Sequence, residues 1–318
     1  MISLADIAAA RERLRGVANV TPVVPCGDHL LLKAESLQPI GSFKLRGAYN
    51  LIAQIPAAQR QAGVITYSSG NHAQGVAYSA RALGIRAVIV MPSNAPATKV
   101  AATRSLGAEI VFVGPASEER REAAEELARE HGYTVVPPYD HPHIIAGQAT
   151  CGAEILEQVP AVDLILAPVS GGGLLSGSAT AAKLIGAETG RSIRVIGVEP
   201  ALAGDAAESF IAGAIVAWDA DLTTRTIADG LRTQSVGKNN FSLIQKYVDD
   251  IITVTEEEIV RAMRIIALES RLVAEPSGAT AAAAWLFHRE KLGAATQAVA
   301  ILSGGNVDPQ MLEAALRS

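Results

Sequence analysis

The sequence predicts an α/β protein of two lobes with open, mostly parallel twisted sheets, and two observations carry that expectation. Short β-branched runs at Val64–Tyr67, Ala87–Met91, Glu109–Val113, Asp163–Ala167, Arg194–Val198 and Val299–Leu302 alternate with helical patterns, and strands separated by helices pair in parallel. A chain of 318 residues also exceeds what one hydrophobic core usually organises. Composition agrees, because 49% of residues are hydrophobic and only 4% aromatic, which suits α/β cores of Ala, Val, Leu and Ile.

The N-terminus reads as an amphipathic helix in which Asp6, Arg11, Glu12 and Arg13 interrupt the apolar positions, so a secretory leader is not expected. A helix over Glu118–His131 is expected from Ser117 as N-cap, the acids that follow it and Gly132 after its end. Thr255 with Glu258 forms a capping box ahead of Ile259, Met263 and Ile266. The proline-stiffened run Val136-Pro137-Pro138-Tyr139-Asp140-His141-Pro142 suits a crossing between lobes. A second crossing follows the helix that starts near Phe43, because a new strand–helix series opens at Gly63. The expected division is therefore a discontinuous large domain, residues 1–52 and 141–318, and a small domain, residues 53–140.

Several function classes are excluded at this level. The formal charge is −5 and no Lys/Arg block occurs, so nucleic acid is not an expected partner. No long uncharged apolar run is present, which argues against a membrane span. Cys26 and Cys151 are far apart and outside any C-x-x-C pattern, so neither a disulfide framework nor a zinc site is indicated. His141 and His143 have no companion acid or cysteine to make a metal centre. The cytoplasm is the expected location.

The chemistry concentrates in four loops. Gly171-Gly172-Gly173-Leu174-Leu175-Ser176-Gly177 has Ser where a dinucleotide fingerprint needs its third glycine, and Gly237-Lys238 is followed by Asn239 rather than Ser or Thr. Both familiar nucleotide motifs therefore fail. The glycine loop nevertheless follows a strand and opens a helix, where backbone N–H groups converge on an anion. A tight strand-to-helix turn accounts equally well for a lone glycine run, but three glycines beside Ser170 favour phosphate. Lys44, in Gly41-Ser42-Phe43-Lys44-Leu45-Arg46-Gly47, falls in the first turn of a helix expected to be capped by Ser42. The positive helix end and partial burial both push its amine toward the neutral form that a Schiff base requires. Ser68-Ser69-Gly70-Asn71-His72 follows a strand and offers N–H groups and polar side chains to a carboxylate. Ser303-Gly304-Gly305-Asn306 repeats the theme after Val299–Leu302.

Together with Gly197-Val198-Glu199-Pro200 and Ala228-Asp229-Gly230, these motifs resemble the fold type II pyridoxal-phosphate enzymes, in the threonine/serine dehydratase and serine racemase branch, over nearly the whole chain. The resemblance implies a tryptophan synthase β-like architecture with pyridoxal 5'-phosphate in the cleft between lobes. It implies that Lys44 forms the Schiff base and Phe43 packs beside the ring. Asn71 then bonds the phenolic oxygen, Gly171, Gly172, Gly173 and Leu174 hold the phosphate, and Ser303 faces the pyridine nitrogen. The substrate carboxylate falls to Ser68, Asn71 and His72, and a second carboxylate, if present, to Arg121. Glu199, the carbonyl of Ala203 and Asp205 resemble divalent-cation ligands, and oxygen donors point to Mg²⁺ or Ca²⁺. Tyr139 stands where the mammalian racemase type has asparagine, which argues against nucleotide regulation. With only Met311–Arg317 to close the chain, a C-terminal feedback domain is not expected.

The expected activity is an ammonia-lyase acting on a small β-hydroxy amino acid: L-serine, L-threonine or 3-hydroxyaspartate. The alternative is a serine racemase in which Ser69, on the cofactor face opposite Lys44, returns the proton. A noncatalytic ligand binder on the same scaffold is the third reading. A homodimer is the expected assembly.

Overall fold

The computed structural model describes residues 2–68, 70–95, 97–114 and 117–318. From the N-terminus, α1 (Leu4–Leu14) leads into the hairpin of β1 (Val23–Pro25) and β2 (Leu30–Ala34), then into α2 (Lys44–Ile52) and α3 (Ala57–Arg60). The next series is β3 (Val64–Tyr67), α4 (Asn71–Ala82), β4 (Ala87–Pro92), α5 (Ala97–Ser105), β5 (Glu109–Val113), α6 (Ser117–His131) and β6 (Thr134–Val135). A third series runs through α7 (Pro142–Gln158), β7 (Leu164–Pro168), α8 (Gly173–Thr189), β8 (Arg194–Pro200), α9 (Asp205–Ala212), α10 (Ala220–Thr223), α11 (Lys238–Tyr247) and β9 (Asp250–Val254). The chain closes with α12 (Glu256–Ile265), α13 (Pro276–Phe287), β10 (Ala298–Leu302) and α14 (Pro309–Arg317).

Two sheets organise these elements, one ordered β1-β2-β10-β7-β8-β9 and the other β5-β4-β3-β6. Every pairing is parallel except β1 with β2. Strand periodicity explains how helices cover both faces. In β7, Leu164 and Leu166 join a core with Ile259, Met263 and Trp285 from α12 and α13, whereas Ile165 and Ala167 face Ile155 and Leu175 from α7 and α8. In β3, Val64 packs with Ile52 and Val76 of α2 and α4, while its neighbour Ile65 packs with Ala124 of α6. Among the described residues, no helix is long and apolar enough to cross a membrane.

The six expected strands are all present, and the capping boxes at Ser3–Asp6 and Thr255–Glu258 are formed. Ser42, however, does not cap α2. Phe43 is the N-cap residue, and the Ser42 hydroxyl is buried with no hydrogen-bond partner. The backbone explains the difference: Ser42 bridges Gly304 and Phe43 N donates to Ser303 O at 3.0 Å, so the segment before α2 is committed to the end of β10. The short strands β1, β2, β6 and β9 were not expected from the sequence. Three of them, β1, β6 and β9, are sheet edges.

Candidate active site

Parallel sheets gather their loops at the carboxyl ends of the strands, and here the loops after β3, β7 and β10 meet the start of α2. The chain enters α2 directly from the bridge with Gly304, and Gly305 N donates to Gly41 O at 2.9 Å. A Cβ on Gly75 of α4 would lie 3.2 Å from Lys44 O, so the two helices approach closely at the position of Lys44. The Lys44 amine donates to Pro138 O at 2.9 Å and lies 5.3 Å from the centre of the Phe43 ring. Burial lowers its pKa to about 8. The neutral amine needed for covalent chemistry is therefore accessible near physiological pH.

The loop after β3 is anchored from both lobes. Asn71 Nδ2 donates to Glu275 Oε1 at 2.6 Å, and Asn306 Nδ2 donates to Asn71 Oδ1 at 2.7 Å and to Ile40 O at 2.8 Å. The His72 ring Nε2 meets Val136 O at 3.0 Å; burial and the neighbouring Lys44 charge depress its pKa to about 3. This imidazole is therefore neutral at physiological pH. Ser68 Oγ accepts from Gly70 N at 3.3 Å. Ser69, expected as the opposite-face acid, lies outside the described residues.

After β7 the chain turns at Gly172, whose φ of 95° is left-handed, and enters α8 at Gly173. The first N–H groups of a helix lack intrahelical acceptors. A Cβ on Gly171 would come within 2.4 Å of the Tyr139 ring. Asn240 Nδ2 holds the loop from behind through Gly171 O at 2.7 Å, and its Oδ1 accepts from Ser176 Oγ at 2.9 Å. Ser170 and Thr233 join their hydroxyls at 2.6 Å. Glycine is thus required by packing at 171 and by conformation at 172, leaving backbone N–H groups uncovered at a helix N-terminus. Leu174 is buried in the first turn of α8, and Ser303, also buried, donates to Ser277 O at 3.4 Å.

Near the end of β8, Glu199 is buried and accepts from Ala206 N at 3.2 Å and Ala207 N at 2.9 Å at the start of α9. Both carboxylate oxygens of Asp205 are buried without a hydrogen-bond partner, and Ala203 is buried beside them in sequence. Burial raises the Asp205 pKa to about 7, and burial with the Asp205 charge raises that of Glu199. Among the described residues, no three His, Cys, Asp or Glu side chains cluster, so a cation here would rely on two carboxylates plus carbonyls and water. Arg121 is partly exposed on α6 and pairs with Glu125 at 2.7 Å. Burial lowers the pKa of its neighbour Arg120.

Two residues escaped sequence reasoning. Glu275 precedes Pro276 at the start of α13 and resembles an ordinary helix-start acid, yet it is buried against the Asn71 amide. Its pKa rises to about 7, chiefly through burial and then the Asp229 charge. Asn240 sits on an otherwise unremarked helix and supports the glycine loop from a distance of 69 residues in sequence. Only the Glu-Pro-Ser-Gly string, with its glycine at 278 pressed on Gly304 O, offered a signal for the first.

A family model described as pyridoxal-phosphate dependent enzyme matches residues 15–304. The chain belongs to that family. It is a fold type II enzyme of the threonine/serine dehydratase and serine racemase group, and its cofactor is pyridoxal phosphate. It is 43% identical to the serine racemase of Schizosaccharomyces pombe over 310 residues, covering 95% of this chain and 94% of that one. It is 42% identical to the L-threo-3-hydroxyaspartate ammonia-lyase of Saccharomyces cerevisiae, covering 95% and 93%. The structure of maize serine racemase superposes with a TM-score of 0.92 at 37% identity, covering 99% of this chain and 97% of that one. The two-lobed architecture with parallel twisted sheets is that of the tryptophan synthase β-like fold.

Proposed function

We propose that the protein is an ammonia-lyase that converts a small β-hydroxy amino acid, L-serine, L-threonine or 3-hydroxyaspartate, to a 2-oxo acid and ammonia. The observation that carries this reading is the half-buried Lys44 amine, with its pKa lowered to about 8 by desolvation, at the start of a helix tied to the loop after β10 and packed against α4. When bound, the cofactor supplies an electron sink that acidifies the substrate α-carbon.

The residues present fit such a group. Gly171, Gly172, Gly173 and Leu174 offer helix-start N–H groups to its phosphate, and a side chain at 171 would collide with Tyr139. Lys44 Nζ links to the cofactor in the resting enzyme and, as a free amine, accepts the α-proton. With the cofactor bound, Phe43 would pack beside the ring and the Asn71 amide would donate to its phenolic oxygen. Ser303 would offer the ring nitrogen a neutral hydroxyl, which would limit charge delocalisation into the ring and favour loss of a β-substituent. Ser68, Asn71 and His72 hold the substrate carboxylate, with the neutral His72 ring adding no charge of its own.

A divalent cation, Mg²⁺ or Ca²⁺, is proposed on Glu199, the Ala203 carbonyl and Asp205. The support is the pair of buried Asp205 oxygens, which have no protein donor and would otherwise bear an uncompensated desolvation cost. The similarity to a hydroxyaspartate ammonia-lyase supports a dicarboxylic substrate, for which Arg121 and its neighbour Arg120 are the cationic candidates on α6.

A second reading, racemisation of serine, is favoured by the likeness to the fission-yeast serine racemase and by the hydroxyl of Ser69. The test is to incubate the Mg²⁺-supplied enzyme separately with L-serine, L-threonine and L-threo-3-hydroxyaspartate and to quantify oxo acid, ammonia and D-isomer. Oxo acid and ammonia in equal amounts are expected. Predominant D-serine, abolished by Ser69→Ala, would instead establish the racemase.

A further inference from the structure

Arg46, the largest fully buried side chain among the described residues, lies two residues after Lys44 on α2. Two residues turn a helix by about 200°, so Arg46 points away from the cleft when Lys44 points into it. There its guanidinium is gripped by two carboxylates. Nε and Nη2 donate to Glu35 Oε2 and Oε1, each at 2.8 Å, while Nη1 and Nη2 donate to Glu154 Oε1 at 2.7 Å and Oε2 at 2.8 Å. The remaining N–H, on Nη1, donates to Thr150 Oγ1 at 3.0 Å, and Asn19 O lies 3.2 Å from Nη2, sharing an N–H with the carboxylates. Lys33, also fully buried, donates to Glu154 Oε2 at 2.6 Å, Thr21 O at 2.7 Å and Gln158 Oε1 at 2.9 Å. Two cations and two carboxylates thus balance, drawn from α2, β2, α7 and the turn after β2.

Buried ion pairs of this kind stabilise little beyond what apolar packing would give, because desolvation offsets the attraction. What two bidentate forks supply is direction. The other directional bonds on α2 lie toward its ends: Phe43 N donates to Ser303 O at 3.0 Å, and near the C-terminal end Asn50 Nδ2 donates to His143 O at 2.7 Å while its Oδ1 accepts from Arg13 Nη1 at 3.1 Å. Its flanks are close-packed backbone: Gly75 of α4 lies against Lys44 O, and a Cβ on Gly147 of α7 would come within 2.5 Å of Arg46 O. Such glycine contacts set how near the helices lie, and the forks on Arg46 add direction within one turn of Lys44.

We propose that Arg46 is a positioning residue for Lys44: its two carboxylate forks on the far side of α2 set the rotation of the helix and thereby aim the Lys44 amine at the cofactor. This inference rests on Lys44 being the cofactor-linked lysine. Arg46→Lys tests it, since an ammonium keeps the charge but cannot form two planar forks.

Two probes separate aim from folding. Pyridoxal 5'-phosphate binds with a covalent bond to Lys44, whereas pyridoxamine 5'-phosphate has the same phosphate and ring but cannot make that bond. For Arg46→Lys, the dissociation constant of pyridoxal phosphate and its borohydride-fixable fraction should worsen about tenfold, with pyridoxamine phosphate affinity held within about twofold. Equal loss of both ligands, or failure of the variant to fold, assigns the network to stability alone and overturns the proposal. So does an unchanged fixable fraction in a variant that folds. If the unmutated protein itself is not fixed at Lys44, the cofactor-lysine reading fails first and takes this inference with it.

Discussion

Asn71 Nδ2 donates to Glu275 Oε1 at 2.6 Å, joining the start of α4 to the residue before α13 across 204 positions of sequence. Asn306 donates to the other end of the same amide, so the Asn71 donor is directed toward Glu275 from both sides. The amide proposed to face the cofactor is therefore held by a carboxyl whose proton is exchangeable near neutrality.

Glu275 has a folded pKa of about 7 against an ordinary 4.5, raised first by burial. A carboxyl shifted upward contributes its stability fully below the unfolded value and loses it as pH rises through the folded one, a span worth at most about 3 kcal/mol. Thermal midpoints of the unmutated protein relative to Glu275→Gln should therefore fall between pH about 4.5 and about 7. A pH-independent difference would show that Glu275 is not the group titrating.

Gly171→Ala places a methyl against the Tyr139 ring, and Gly172→Ala forces a side chain into a φ of 95° with Asn240 Cβ at 3.0 Å. Strain of about 1–3 kcal/mol is expected at the second position. Both variants should weaken cofactor affinity, Gly172→Ala by about tenfold or more, as read by spectroscopic titration. Gly190→Ala, also at positive φ but with open space around it, should lower the melting temperature and leave that affinity unchanged.

The Asp205 oxygens lead to a ligand-linkage prediction. Millimolar Mg²⁺ or Ca²⁺ should raise the melting temperature of the unmutated protein, by about 2.7 kcal/mol of stability when the ion is at a hundred times its dissociation constant. Asp205→Asn should remove most of that gain. A melting temperature indifferent to both ions in the unmutated protein would remove the proposed cation.

Much of this was legible in the sequence because the signals were local. Alternating β-branched runs marked the six strands that define the two sheets, and glycines marked the turn at 171–173. What escaped depended on contacts distant in sequence. Lys33 breaks the apolar run of β2 and reads as a surface residue, yet Glu154, 121 positions later, makes it a buried partner. Ser42 carries a good cap residue type, but the end of β10 claims its backbone first. Glu275 looks like a helix-start acid until Asn71 and the loop at Gly304 enclose it.

The central claim is that Lys44 holds the cofactor, and one measurement reaches it directly. The protein is loaded with pyridoxal phosphate, reduced with borohydride, digested and mapped by mass. The account predicts a phosphopyridoxyl group on Lys44 and its absence from Lys44→Ala. A modified peptide elsewhere, or none in loaded protein, would contradict it.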